Sequence, residues 1–153
     1  MKVRFPDGTV VKGLALRERK EQDPDRDYGL YLDAGWRPTW PATLVDWEDF
    51  GLPATYETAA DQIREAFRRA KDGRRVEVGC KGGCGRTGTV LACMAILGGV
   101  PAGDAVAWIR ANYRRTGKIV ETTDQEWWVQ WFDAYIHGRE APPRHPRPTK
   151  ARR

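Results

Sequence analysis

Cys80 and Arg86 stand six positions apart around a run of glycines, Cys80-Lys81-Gly82-Gly83-Cys84-Gly85-Arg86-Thr87-Gly88. Glycine lets a backbone fold tightly and turn consecutive N–H groups inward as an anion-binding nest. Arg86 carries a planar fork that grips two phosphate oxygens at once. Cys80 opens the loop, where converging N–H groups and a helix N-terminus favour thiolate over thiol. Read together, these residues describe a phosphate cradle with a nucleophile at its start. The competing reading is a glycine-rich turn around a structural cysteine. A nucleotide-binding loop does not fit, because it needs Gly where Cys80 stands and Lys where Arg86 stands.

The flanking sequence predicts the elements that hold such a loop. Arg74 to Val78 reads as a strand leading in, and Thr87 to Leu97, apolar on nearly every face, as a central buried helix leading out, stopped by Gly98-Gly99. Cys93 inside that helix reads as inert packing. Upstream, residues 3 to 16 predict a β-hairpin around Pro6-Asp7-Gly8, and Tyr28–Leu32 and Ala42–Trp47 predict strands. The charged stretch from Glu18 to Asp27 reads as a solvated loop, and Gly35–Pro41 as a rigid aromatic one. Thr55 to Asp72 has helical apolar spacing, with Thr58 and Asp61 as a candidate cap and Gly73 as its stop. Pro101 to Arg115 predicts another helix, on which Arg110 and Arg114 either guide an acidic substrate or line a solvated face. Thr123 to His137 predicts the last helix, with Thr123 and Glu126 as a capping box and Trp127, Trp128, Trp131, Phe132, Tyr135 and Ile136 as its apolar stripe.

The chain has 153 residues, which predicts one domain able to bury a core without disulfides or metal. Its net charge of +5 comes entirely from residues 138–153, which hold six Lys/Arg, one Glu and four Pro. We therefore expect a domain over 1–137 and a basic, Pro-rich, disordered tail over 138–153. The tail reads as solubilising, or as a weak tether to an acidic partner. No aromatic residues interleave with its basic ones, which argues against a single-stranded nucleic-acid ligand. No apolar run reaches the ~20 residues that span a bilayer, and no signal-peptide core is present at the start. Three cysteines in such a chain suit a reducing compartment, so a cytoplasmic location is expected. The two histidines, His137 and His145, lie together at one end, and no ligand set is spaced for zinc.

Cys, five residues, then Arg-Thr-Gly resembles the signature of the cysteine-dependent protein tyrosine phosphatases. Lys81 and Gly83 make the loop most similar to the dual-specificity branch, in particular the cell-division-cycle phosphatases, and Trp108-Ile109-Arg110 with Arg114 adds to that likeness. Trp47-Glu48-Asp49-Phe50-Gly51-Leu52-Pro53 resembles the same family's mobile acid loop, with Glu48 in place of Pro. Thr122-Thr123-Asp124-Gln125 resembles its glutamine loop, with Glu121 where tyrosine-specific members carry a second Gln.

The resemblance implies an α/β fold with a short, mostly parallel sheet flanked by helices. It implies hydrolysis of phosphomonoesters on protein, phosphotyrosine first and phosphoserine/threonine second, with no metal and no cofactor. Phosphoinositide substrates, a phosphate-binding module without turnover and a sulfurtransferase stand as alternatives. It assigns Cys80 as nucleophile, Arg86 with Lys81, Gly82, Gly83, Cys84 and Gly85 as the phosphate site, and Asp49 as the acid that protonates the leaving oxygen and then takes a proton from water. Thr87 would bond the sulfur, and Gln125 would orient the water. Trp36, Trp40 and Phe50 would wall the substrate cleft. Cys84 would be a small loop residue or a resolving thiol. Most members carry His before the nucleophile; this chain has Gly79.

Overall fold

The computed structural model describes residues 1–18, 26–33, 35 and 38–144. Nine elements follow in order: β1 (Lys2–Arg4), β2 (Val10–Ala15), β3 (Tyr28–Tyr31), β4 (Ala42–Leu44), α1 (Tyr56–Lys71), β5 (Val76–Cys80), α2 (Gly85–Leu97), α3 (Ala105–Asn112) and α4 (Thr123–Ile136). Single 3₁₀ turns at Leu16–Glu18 and Ala102–Asp104 precede the loop to β3 and α3. One five-stranded sheet runs β1-β2-β5-β3-β4. Only the β1–β2 hairpin is antiparallel; β5 lies between β2 and β3 and pairs with both in parallel. A central parallel strand is covered on both faces, and all five residues of β5 are accordingly buried. This is the mostly parallel α/β architecture expected.

The helices follow the hydrophobic pattern. α1 buries Ala59, Ala60, Ile63, Ala66, Phe67 and Ala70 along one stripe. α2 is buried from Gly85 to Ala95 and is the axis against which α1, α3 and α4 pack. Trp47, ahead of α1, joins the aromatic cluster of α4: its ring centroid lies 5.3 Å from that of Trp128, which stacks on Trp131 at 5.5 Å.

Four boundaries differ from expectation. α1 starts at Thr55 without a side-chain cap; Asp61 instead accepts from Tyr135 Oη of α4. α4 is capped by Thr122 rather than Thr123, its hydroxyl accepting from Gln125 N at 3.0 Å. α3 ends at Asn112, because Tyr113 turns extended and carries its hydroxyl to the Gly83 carbonyl, 2.7 Å away. The tail does not begin at residue 138: Pro142 O accepts from Trp127 Nε1 at 2.9 Å and Arg144 pairs with Asp124, so residues 138–144 fold back along α4. Residues 145–153 lie outside the described residues, as do 19–25 of the charged loop and Trp36. Among the described residues no helix is long and apolar enough to cross a membrane.

Candidate active site

The site forms where β5 stops and α2 starts. Cys80 is the last residue of the buried central strand and is 2 % exposed. Two donors converge on it: Gly83 N at 3.2 Å and Thr87 Oγ1 at 2.9 Å. Gly83 has φ +72°, a conformation that costs a side-chain-bearing residue about 1 kcal/mol or more, and this turn is what aims its N–H back at the sulfur. The first turn of α2 leaves its N–H groups without helical partners, facing the loop.

Arg86 sits in that first turn, 5 % exposed. Its Nη1 donates to Leu32 O at 2.8 Å and Trp47 O at 2.9 Å. Its Nε is buried with no hydrogen-bond partner. One arm of the guanidinium therefore latches the end of β3 and the Trp47–Pro53 loop, while Nη2 faces Asp49 and Nε has no partner. A buried, unmatched cationic N–H is costly unless an anion is meant to meet it. Asp49 Oδ1 lies 3.6 Å from Arg86 Nη2 and accepts from Phe50 N at 3.0 Å, its carboxylate half exposed at the mouth. Trp47 anchors the loop from below through Nε1 to Gly51 O at 2.8 Å. Phe50 is 61 % exposed beside Asp49, at φ +60°.

The cradle is braced from behind. Tyr113 holds Gly83 O, and Arg115 reaches Glu18, whose Oε1 accepts Ala15 N at 3.1 Å. That backbone bond is the main cause holding the Glu18 carboxyl below its ordinary range, with Arg115 adding to it. Cys84 Sγ points out of the cradle, 3.4 Å from Thr116 O and 3.5 Å from Gly82 O. Burial pushes its thiol up, and does the same far more strongly for Cys93. Gly79 is explained by space: a Cβ there would lie 2.9 Å from Leu16, 3.3 Å from Tyr31 and 3.4 Å from Leu14 side chains. The volume that a histidine would take is filled from the sheet face.

Three expectations change. Gln125 is fully buried; its Oε1 accepts Glu121 N at 2.8 Å and its Nε2 donates to Gly51 O at 3.2 Å. It ties the Trp47–Pro53 loop to the segment before α4. Trp40 leaves the cleft wall: its Nε1 donates to Tyr31 Oη at 2.7 Å and Arg26 covers its ring at 3.6 Å. Tyr31 Oη in turn donates to Glu77, three residues back along β5 from Cys80, or about 10 Å at strand rise. Arg110 is neither guide nor solvated face, since its Nε and Nη2 donate to Ile119 O and Val120 O, each at 2.8 Å. Lys81, Gly82, Cys84 and Gly85 complete the loop, with the Lys81 and Gly82 edge exposed.

One carboxylate at the site carries no expected role. Glu121 Oε1 lies where a Cβ on Gly85 would stand, 1.8 Å from that point, so its carboxylate rests on the cradle itself. Burial, and then the charge of Asp49, raise its pKa, and Arg86 partly offsets this. Among the described residues no three His, Cys, Asp or Glu side chains gather into a metal site.

Comparison with known proteins agrees with this geometry. The protein-tyrosine phosphatase model matches residues 9–125, and the chain belongs to that family. It is 36% identical over 114 residues to the uncharacterized protein MJECL20 of Methanocaldococcus jannaschii, covering 67% of this chain and 74% of that one. Its fold is similar to that of Tk-PTP in the active form, with TM-score 0.66, 23% identity, and 86% and 95% of the two chains covered. Human DUSP28 shares the fold at TM-score 0.66 and 13% identity, over 90% of this chain and 99% of its own.

Proposed function

We propose that this chain hydrolyses phosphomonoesters by a two-step transfer through Cys80, with protein phosphotyrosine as the first substrate class and phosphoserine/threonine as the second. One observation carries the reading. Arg86 Nη1 latches the Trp47 carbonyl while its Nε stays buried and unmatched and its Nη2 lies 3.6 Å from Asp49, which supports a reading of Arg86 as the anion fork between nucleophile and acid. In the first step the Cys80 sulfur attacks phosphorus, the P–S bond forms and the P–O bond breaks. Arg86 and the loop amides hold the equatorial oxygens. The Asp49 carboxyl gives its proton to the departing oxygen. Water then cleaves the P–S bond, and Thr87 Oγ1, 2.9 Å from the sulfur, stabilises the thiolate that leaves. Phe50 supports an aryl substrate, as an exposed ring next to the leaving-group acid. The chemistry assigned to these residues calls for no metal. The three thiols, all free, support a cytoplasmic setting.

The test is turnover of 4-nitrophenyl phosphate and a phosphotyrosyl peptide in excess chelator. Both should be hydrolysed, and Cys80→Ser should abolish both. Activity surviving Cys80→Ser overturns the assignment. Tungstate binding at the loop without any turnover by the natural chain would mark a phosphate-binding module instead.

A further inference from the structure

A cavity of about 650 Å³ opens at the start of β5, the end opposite Cys80. Val76 lines it, and Cys80 lies four residues on, about 13 Å at strand rise. Six cationic side chains, Lys2, Arg4, Lys12, Lys71, Arg74 and Arg75, line this cavity against one carboxylate, Asp7. The chain before residue 138 holds as many acidic as basic residues, so charge here is segregated rather than in surplus. The fold collects the six from separate elements. Lys2 and Arg4 flank buried Val3 on β1, so both project on the exposed side of the hairpin. Lys2 stands directly opposite Lys12 of β2, a pairing in which like charges repel. Gly73, at φ +91°, ends α1 and turns Arg74 and Arg75 back to the start of β5. Carboxylates stand beside three of the six. Arg75 pairs with Asp27 at 3.0 Å, and Lys12 has Glu77 of β5 as its other neighbour in register. Lys71 lies 3.8 Å from Asp7, in the last turn of α1, where the helix dipole also favours a cation. Lys2, Arg4 and Arg74 make no ion pair among the described residues.

We propose that this cavity is a second anion site, one that binds a chain of phosphates, with Lys2, Arg4 and Arg74 as its principal contacts. Free inorganic polyphosphate and the triphosphate tail of a nucleotide share that chemistry. Volume, charge and lining each narrow the ligand. The volume falls within the roughly 300–1,000 Å³ of small-molecule sites, more than a single phosphate fills. A concave wall of one sign focuses the field and draws in multivalent anions. Three cations without carboxylate partners suit the spread charge of a short phosphate chain better than a lone monoester, and Lys and Arg bind its oxygens by charge-assisted bonds. No aromatic ring lines the cavity, so no base is stacked there and the phosphate chain itself is what is held. The same lining argues against single-stranded nucleic acid, and the concave shape against a flat lipid surface. No residue of Cys80–Arg86 lines the cavity, so this inference stands apart from the phosphatase reading.

The experiment is calorimetric titration of the Cys80→Ser chain with sodium triphosphate, with one equivalent of tungstate held at the cradle and about 0.15 M NaCl to screen weak surface attraction. Triphosphate should bind one to one. Lys2→Gln combined with Arg74→Gln should weaken that binding about 10-fold or more, the usual loss when charged hydrogen bonds are removed. Both side chains are exposed, so Tm should hold. In the natural chain the same pair of substitutions should leave tungstate affinity and 4-nitrophenyl phosphate turnover unchanged. ATP separates the two sources: affinity equal to that of triphosphate marks the nucleotide tail as accepted, and weaker affinity marks the free chain. ATP bound more than about 10-fold tighter overturns the proposal, because a stacked base would then be contributing. Unchanged triphosphate affinity in the doubly substituted chain, sulfate bound as tightly as triphosphate, or loss of triphosphate binding once tungstate occupies the cradle each overturns it too. So does preference for an oligouridylate over triphosphate, which would mark a nucleic-acid surface. A natural chain with no turnover that still loses triphosphate on the double substitution would overturn the phosphatase reading and leave this inference standing.

Discussion

The loop from Cys80 to Thr87 and the two segments that bear carboxylates, Trp47–Pro53 and Ile119–Gln125, are built on opposite plans. The first meets its one left-handed turn with Gly83 and packs its back against Tyr113, Ala15 and Arg115. The other two hold Phe50 and Val120 in that region: Arg86 and Gln125 reach the first through the Trp47 and Gly51 carbonyls, and Arg110 reaches the second through the Ile119 and Val120 carbonyls, while within it Gln125 accepts from Glu121 N. The glycine-bearing loop is thus relaxed, locally encoded backbone, while the two carboxylate-bearing segments are strained and are held through side chains of other elements. Damage to the donors should harm chemistry and spare anion affinity.

The sharpest separation comes from Cys80→Ser, which should remove all turnover while tungstate still binds with a Kd within a few fold of the natural chain, as read by calorimetry. A collapse of tungstate affinity would show that the sulfur also holds the loop's shape. Asp49→Asn comes next. A tyrosyl oxygen needs its proton far more than a nitrophenolate does, so kcat on phosphotyrosine should fall about 100-fold or more and that on 4-nitrophenyl phosphate about 10-fold or less. Glu48→Gln should leave both nearly unchanged; the reverse pattern would move the acid one residue along the loop.

Arg110→Met tests the strained segment without touching the cradle. It should slow steady-state turnover roughly 10-fold while tungstate affinity holds. Gly79→His probes the relaxed region from behind. The imidazole meets Leu16 and Tyr31, and overpacking of this kind costs about 1–3 kcal/mol of stability, measurable as a lower urea midpoint. Phe50→Gly should have the smallest effect. Relief of the φ strain and the added freedom of the unfolded chain nearly cancel, leaving a change under about 1 kcal/mol and a Tm shift of at most a few degrees.

The same contrast explains what could be read in advance. The cradle's glycine, cysteine and arginine spacing is local chemistry, legible as it stands, and the sheet followed from apolar runs between turn residues. The Trp47–Pro53 loop was legible as a unit because Trp47, Phe50, Gly51 and Pro53 stand in order, and the structure sets Asp49 3.6 Å from Arg86. The engagement of Arg110 was not foreseen, since the reach of a guanidinium from α3 to two carbonyls nine and ten residues on leaves no periodic trace. Gln125 and Trp40 have the right residue types at expected positions, and only the tertiary packing shows that their polar atoms are already engaged. Thr122 displaced Thr123 as the cap by one residue, a margin that sequence pattern does not resolve when two threonines adjoin.

The packing of Trp47 against Trp128 makes the acid loop visible to light. The two indoles lie 5.3 Å apart at 64°, inside a cluster that also holds Trp131 and Tyr56. Transition dipoles so close and so inclined couple, and the coupling appears as a near-ultraviolet circular-dichroism couplet. Swinging the loop away from Arg86 would withdraw Trp47 from the cluster and expose it to solvent quenching. A loop movement of that kind would be readable optically on the unlabelled protein.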